Sequence, residues 1–243
     1  MRIKAVIAYD GTEYHGFQRQ APDREPSIQG TLENALSKIG QAGGVLGAGR
    51  TDAGVHASGQ VIAFDVNWRH GVAELQRALN ATLPADIAVL ELEQAADTFH
   101  PRFDAVSRAY RYSISNTRVR NPLTMRYALH VPQVLDAEAM RRALACTIGD
   151  HDFAAFGQPT VGESTTRSMH RADVIADGST IAIELQANGF LYRMVRRIVG
   201  TLIPIGRGAQ TQADFSAILK SADPNRAGPA VAPHGLCLIQ VSY

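Results

Sequence analysis

GAGRTDAGVHA, residues 47–57, is the stretch from which the rest of the chain is read. It sets Asp52 in a glycine-framed turn, with Arg50 two positions before it and His56 four after. Gly47, Gly49 and Gly54 allow positive φ and close backbone approach, and Thr51 and Asp52 can hydrogen-bond to neighbouring amides. Such a turn can hold one carboxylate in a fixed place. Taken alone, the same residues better fit an aspartate that only stabilises a turn or caps a helix. The surroundings decide between the two.

Upstream, Ile3, Ala5, Ile7 and Tyr9 alternate with Lys4, Val6 and Ala8, which predicts an opening strand closed by the Asp10-Gly11 turn. Ile28, Leu32, Ala35, Leu36 and Ile39 share one helical face. Downstream come a strand QVIAFDV (60–66), a helix marked by Val72, Leu75 and Leu79, and a strand DIAVLEL (86–92). Residues 98–108 carry no clear period, so the boundary falls there: an N-terminal α+β subdomain, 1–105, carries the focal loop, and a C-terminal one is expected over 106–243. The second half repeats the order. AYRYSIS (109–115) is a strand with Tyr110, Tyr112 and Ile114 on one face, and Asp136 caps a helix buried through Met140, Leu144 and Ile148. VIADGSTIAI (174–183) is a hairpin turning at Asp177-Gly178, FLYRMVRRIVGTLI (190–203) is the strongest amphipathic helix, and a short helix around Phe215 precedes a last strand, 235–243. Two halves with one order of elements predict an α+β fold. Its two tandem subdomains would form one extended, mainly antiparallel sheet flanked by helices.

With 243 residues and 45% hydrophobic content, the chain can bury one large core or two moderate ones. No apolar run reaches membrane-spanning length, and the N-terminus runs straight into a strand pattern, which predicts a soluble cytoplasmic protein without membrane contact. Cys146 and Cys237 are far apart and belong to no CxxC or Cys/His cluster, so neither a disulfide framework nor a structural metal is implied. The net charge of +1 conceals an imbalance: lysine occurs only at positions 4, 38 and 220, and arginine supplies 21 of the 24 basic residues. Between residues 102 and 126 stand six of those arginines against one acid, Asp104. A guanidinium suits bidentate phosphate contact and stacking on bases, so this stretch reads as a polyanion footprint.

GxxxxGK[ST], HExxH and GxSxG are all absent, which removes phosphate-loop, zincin and nucleophile-elbow chemistry. Neither cysteine sits in a recognisable nucleophile motif and the histidines are scattered, so a site, if there is one, should rest on a carboxylate. For Asp52 to act as nucleophile or base it needs a cation that keeps it ionised, and Arg50 and Arg196 are the candidates. Arg196 lies off the centre of the apolar stripe of its helix, a position that also fits a solvated arginine. Tyr110, a strand tyrosine amid arginines, can stack on a base, although strand tyrosines often only fill core, as Tyr112 is expected to do.

Eight blocks in order resemble the tRNA pseudouridine synthase A family. They are GAGRTDAGVHA itself, AYDGTEYHGFQRQ (8–20), SIQGTLENAL (27–36), FHPRFDA (99–105), RAYRY (108–112), HDFAAF (151–156), GFLYRMVRRIVGTL (189–202) and APHGLCL (232–238). The likeness spans essentially the whole chain. Phe17 and Arg193 depart from it, standing where tryptophan and His or Lys are frequent. The resemblance implies the pseudouridine synthase fold and isomerisation of uridine to pseudouridine at positions 38, 39 and/or 40 of the tRNA anticodon stem-loop, without a cofactor or metal. It further implies that Asp52 is the catalytic aspartate, that Tyr110 contacts the target uracil, that Arg50 helps splay out the target nucleotide and that Arg196 pairs with the aspartate. Asp52 would add to C6 of the base, attack C1′ of the ribose or deprotonate C2′; the sequence leaves all three open. A homodimer, with residues 106–243 completing an RNA-binding cleft, is implied in the same way.

Overall fold

The computed structural model describes residues 1–21, 25–159, 162 and 164–243. In chain order, β1 (Arg2–Tyr9), α1 (Ile28–Lys38), β2 (Leu46–Gly47), β3 (His56–Asp65), α2 (Val72–Thr82) and β4 (Ile87–Gln94) are followed by β5 (Ser107–Ser115) and β6 (Leu129–His130). Then come α3 (Ala137–Leu144), β7 (Gly149–Asp152), β8 (Thr166–Asp177), β9 (Thr180–Ala187), α4 (Met194–Gly206), α5 (Gln212–Ser221) and β10 (Leu236–Ser242). The chain divides into two compact units, Met1–Val106 with Cys237–Tyr243, and Ser107–Leu236. The predicted α+β class is the one observed, with mainly antiparallel pairing.

In the first unit the strands run β4-β1-β3-β10, with β2 added to β3. β1 is antiparallel to both neighbours and β10 joins β3 in parallel, pairing Cys237 with His56 and Leu238 with Ala57. The alternation read in β1 follows its burial: Ile3, Ala5, Ile7 and Tyr9 are buried. α1 starts where Ser27 accepts from the Gly30 amide, and it buries Ile28, Leu32, Ala35 and Leu36. Its polar residues grip the chain just before β2. Glu33 accepts from the Val45 amide at 3.0 Å, and Gln29 donates to the Val45 carbonyl at 3.1 Å.

In the second unit the order is β5-β9-β8-β7, with β6 parallel to β5. Asp136 caps α3 as predicted, accepting from the Ala139 amide, and Met140 and Leu144 are fully buried. Ile148, expected on the same buried face, is 46% exposed. After Leu144 the chain tightens into a 3₁₀ turn, Ala145–Thr147, which ends the α-helical spacing. The β8–β9 hairpin pairs Asp177 with Thr180, so its two-residue turn is Gly178-Ser179, one position later than predicted, with Gly178 at φ 55°. α4 also starts later than its periodicity suggests. Tyr192 bridges Gln158 and its amide donates to the Gln158 carbonyl at 2.9 Å; Arg193 then adopts a left-handed φ of 61°, and helix begins at Met194. Leu191 is nevertheless buried, because the periodicity reported burial correctly where the backbone had other partners.

Candidate active site

The loop carrying Asp52 leaves the first unit's sheet rung by rung. β2 pairs Leu46 with Ala63 and Gly47 with Ile62, and the Ala48 amide donates to the Val61 carbonyl at 2.8 Å. At the next position the backbone ladder ends, and the side-chain amide of Gln60 donates to the Gly49 carbonyl at 2.8 Å. Arg50 follows with an exposed side chain. Thr51 is buried again: its carbonyl accepts from the Phe17 amide at 3.0 Å, and its hydroxyl lies 2.9 Å from the Tyr9 hydroxyl. Asp52 is half-buried, and its carbonyl accepts from the Val55 amide at 3.1 Å.

The glycines act differently from one another. Of the three in the motif, Gly54 is left-handed, at φ 75°, with its amide on the Tyr14 carbonyl. Gly47 is needed for close approach, since a Cβ there would lie 2.4 Å from the Phe17 ring. Gly16, outside the motif, combines both demands: φ is 100°, and a Cβ would lie 2.7 Å from the Thr51 carbonyl oxygen. The far end of the loop is fixed by His56, whose Nδ1 accepts from the Gly11 amide at 3.1 Å and lies 3.1 Å from Asp10 Oδ1. Tyr14 donates to Asp86 at 2.7 Å, and burial together with that carboxylate raises its phenol above the ordinary tyrosine range. The backbone is therefore pinned on both sides of Asp52.

Tyr110 and Arg196 belong to the second unit. Tyr110, on β5, is 9% exposed and meets Phe190 edge-on, with ring centroids 5.0 Å apart. Tyr112 is core, as expected: it is fully buried and donates to the Ala232 carbonyl at 2.7 Å. Burial raises its phenol, and the charge of Arg196 opposes that rise. Arg196 itself is half-buried, which overturns the solvated alternative. Its Nε donates to the Val231 carbonyl at 2.7 Å while its own carbonyl accepts from the Val231 amide at 3.2 Å. Small residues make that clip possible, for a Cβ on Gly200 would lie 2.0 Å from the Pro229 carbonyl oxygen.

The count of arginines against one acid over residues 102–126 needs a correction. Arg111 is bound by Glu184, 2.6 Å away on the paired strand β9, and the same carboxylate holds Arg171 at 2.9 Å. A linear count cannot see a countercharge brought by strand pairing. Arg118, Arg120 and Arg126 are exposed.

A family model described as tRNA pseudouridine synthase matches residues 5–104 and 143–243. The chain belongs to the tRNA pseudouridine synthase family. Relatives include the tRNA pseudouridine synthase A of Geobacter sp. strain M21, 42% identical over 244 residues that span 99% of this chain and 98% of that protein. The protein of the same name from Moorella thermoacetica is 43% identical over 245 residues, spanning 99% of both chains. That from Streptococcus pneumoniae strain 70585 is 40% identical over 247 residues, spanning 100% of this chain and 98% of the relative. Membership in the tRNA pseudouridine synthase family makes the chain an isomerase. Arg50, Asp52 and Arg196 fall inside the matched segments, and Tyr110 falls between them in the stretch the full-length relatives cover. Periodicity and motifs do not single out Tyr9, Gly16, Phe17 and Gln60 as supports of the loop. Their only prior signal was that Tyr9, Gly16 and Phe17 sit in the block AYDGTEYHGFQRQ and Gln60 begins the strand after the motif. Among the described residues, no helix is long and apolar enough to cross a membrane, and no three His, Cys, Asp or Glu form a metal-binding group.

Proposed function

We propose that the chain isomerises uridine to pseudouridine at positions 38, 39 and/or 40 of the tRNA anticodon stem-loop, with Asp52 as its catalytic carboxylate. The observation that carries this reading is local: a half-buried aspartate on a loop pinned at Thr51 and Val55, with the exposed guanidinium of Arg50 two residues before it. The reaction breaks the bond from N1 to C1′, turns the uracil and forms a bond from C5 to C1′, while the C5 proton leaves and N1 gains one. Nothing is oxidised and no water is consumed, so the chemistry calls for no cofactor.

Attack at C6, attack at C1′ and proton removal at C2′ all require an ionised Asp52. Arg196 is the cation assigned to pair with that carboxylate. Its fixed guanidinium, bonded to the Val231 carbonyl, suits a positioned charge better than a mobile one would. Tyr110 contacts the uracil. Extruding the target base costs on the order of a few kcal/mol of stacking, and Arg50 fills the gap it leaves. The exposed Arg118, Arg120 and Arg126 suit phosphate contact. A homodimer bound to one tRNA, acting in the cytoplasm, completes the reading.

Asp52→Asn should bind tRNA with little loss and release no tritium from tRNA labelled at uridine C5; turnover in that variant would overturn the assignment. Mapping pseudouridines in tRNA from cells with and without the protein tests the positions.

A further inference from the structure

Gln60 sits in the interior of the first unit, fully buried on β3, where its backbone pairs with Ile7 of β1. Its side chain does what a backbone amide would do in a continuing ladder. Above it, Leu46, Gly47 and Ala48 are held by β3 through main-chain pairing; at Gly49 the bond comes from Gln60 Nε2 instead, at 2.8 Å. From that point the chain departs into Arg50, Thr51 and Asp52. The carbonyl that Gln60 holds is thus the fixed point just before Arg50, two residues ahead of the pinned Thr51.

The rest of the side chain makes a folding role alone a poor account. A glutamine amide offers two donors and one acceptor oxygen, and the bond to a carbonyl fixes which end is nitrogen. Oε1 is then buried and finds no hydrogen-bond donor among the described residues. A buried unmatched acceptor lowers stability, and a methionine of similar length fills such a site without that loss. A glutamine here costs the fold something that the bond to Gly49 offsets only in part.

We infer that Gln60 is a positioning residue of the isomerisation, holding the Gly49 carbonyl so that Arg50 and Asp52 leave the sheet in one fixed direction. This rests on the reading of Asp52 as the reacting carboxylate. Gln60 touches no reacting atom. It acts through the loop, and a displacement of about 1 Å at a reacting group can lower a rate on the order of 100-fold.

The test compares the full chain with Gln60→Met in three measurements: single-turnover tritium release from tRNA labelled at uridine C5, tRNA affinity by filter binding, and the thermal unfolding midpoint. The expected result is a rate lower by about 100-fold with affinity unchanged and a midpoint at or above that of the unaltered chain. A retained rate overturns the inference, and so does a rate loss that follows loss of folded protein at the assay temperature. Gln60→Glu gives a second readout. The introduced carboxyl can donate to Gly49 only when protonated, so its rate relative to the unaltered chain should rise as pH falls; a ratio flat in pH overturns the inference. If the unaltered chain forms no pseudouridine, the catalytic reading of Asp52 fails first and this inference with it. A full rate in Gln60→Met defeats this inference alone.

Discussion

Gly16→Ala tests how tightly the catalytic loop is held by the segment beside it. The new methyl meets two penalties. First, φ is 100°, outside the range L side chains normally adopt, and left-handed backbone costs a non-glycine residue about 1–2 kcal/mol. Second, the Cβ would stand 2.7 Å from the Thr51 carbonyl oxygen and 3.3 Å from the Ala53 amide nitrogen, so backbone has to move. Inserting a methyl into packed structure costs about 1–3 kcal/mol. Gly40→Ala separates the two, because Gly40 has φ 75° but nothing within 4 Å of its Cβ. Gly40→Ala should therefore cost about 1–2 kcal/mol, and Gly16→Ala about 2–5 kcal/mol. At about 2–4 °C per kcal/mol for a chain of this size, the midpoints should fall by about 2–8 °C and about 4–20 °C. Calorimetry measures both, and single-turnover tritium release at a temperature where both variants are folded measures the loop. Gly40→Ala should turn over normally, while Gly16→Ala should be slow, since the carbonyl it pushes belongs to the residue before Asp52. Equal midpoints with an undiminished rate in Gly16→Ala would refute the reasoning.

Two further outcomes follow from the buried phenols. Tyr112→Phe leaves the Ala232 carbonyl without its 2.7 Å donor and should cost about 1–3 kcal/mol, read as a lower denaturant midpoint; an unchanged midpoint would remove the bond from the account. Tyr14 and Tyr112 are both held above the ordinary phenol range, so the folded chain keeps protons that the unfolded chain sheds above about pH 10. Their contribution is complete below that pH and is lost as pH rises beyond it. Urea melts at about pH 9 and about pH 11 should show the decline, and Tyr14→Phe should make it shallower.

Much of the scaffold is legible in the sequence because apolar periodicity reports which side chains leave water. Ile3, Ile7, Leu32, Leu36, Met140 and Leu144 are buried where the periods of 2 and 3.6 put them. The failures share one cause. Periodicity places Leu191 in the core, where it lies, yet it is not helical, because the backbone at Tyr192 bonds to Gln158 and Arg193 turns left-handed. Asp177-Gly178 was one residue early because a hairpin's register is set by its pairing, Asp177 with Thr180, and not by the dipeptide alone. Arg111 counted as a free cation until strand pairing placed Glu184 beside it.

The site divides along the same line. Asp52 was legible because motif and ordered blocks agree on it. The means of holding it were not, since they lie in main-chain carbonyls whose donors come from distant positions: Phe17 for Thr51 and Gln60 for Gly49. Arg196 shows the same arrangement in the second unit, where its Nε takes the Val231 carbonyl. A one-dimensional pattern encodes burial through residue type, whereas any donor can satisfy a carbonyl, so residue type says little about which one does. Between Gly49 and Asp52 three such carbonyls in four residues take donors from Gln60, Phe17 and Val55. That is why the loop with the clearest sequence motif was also the one whose supports had to be found in three dimensions.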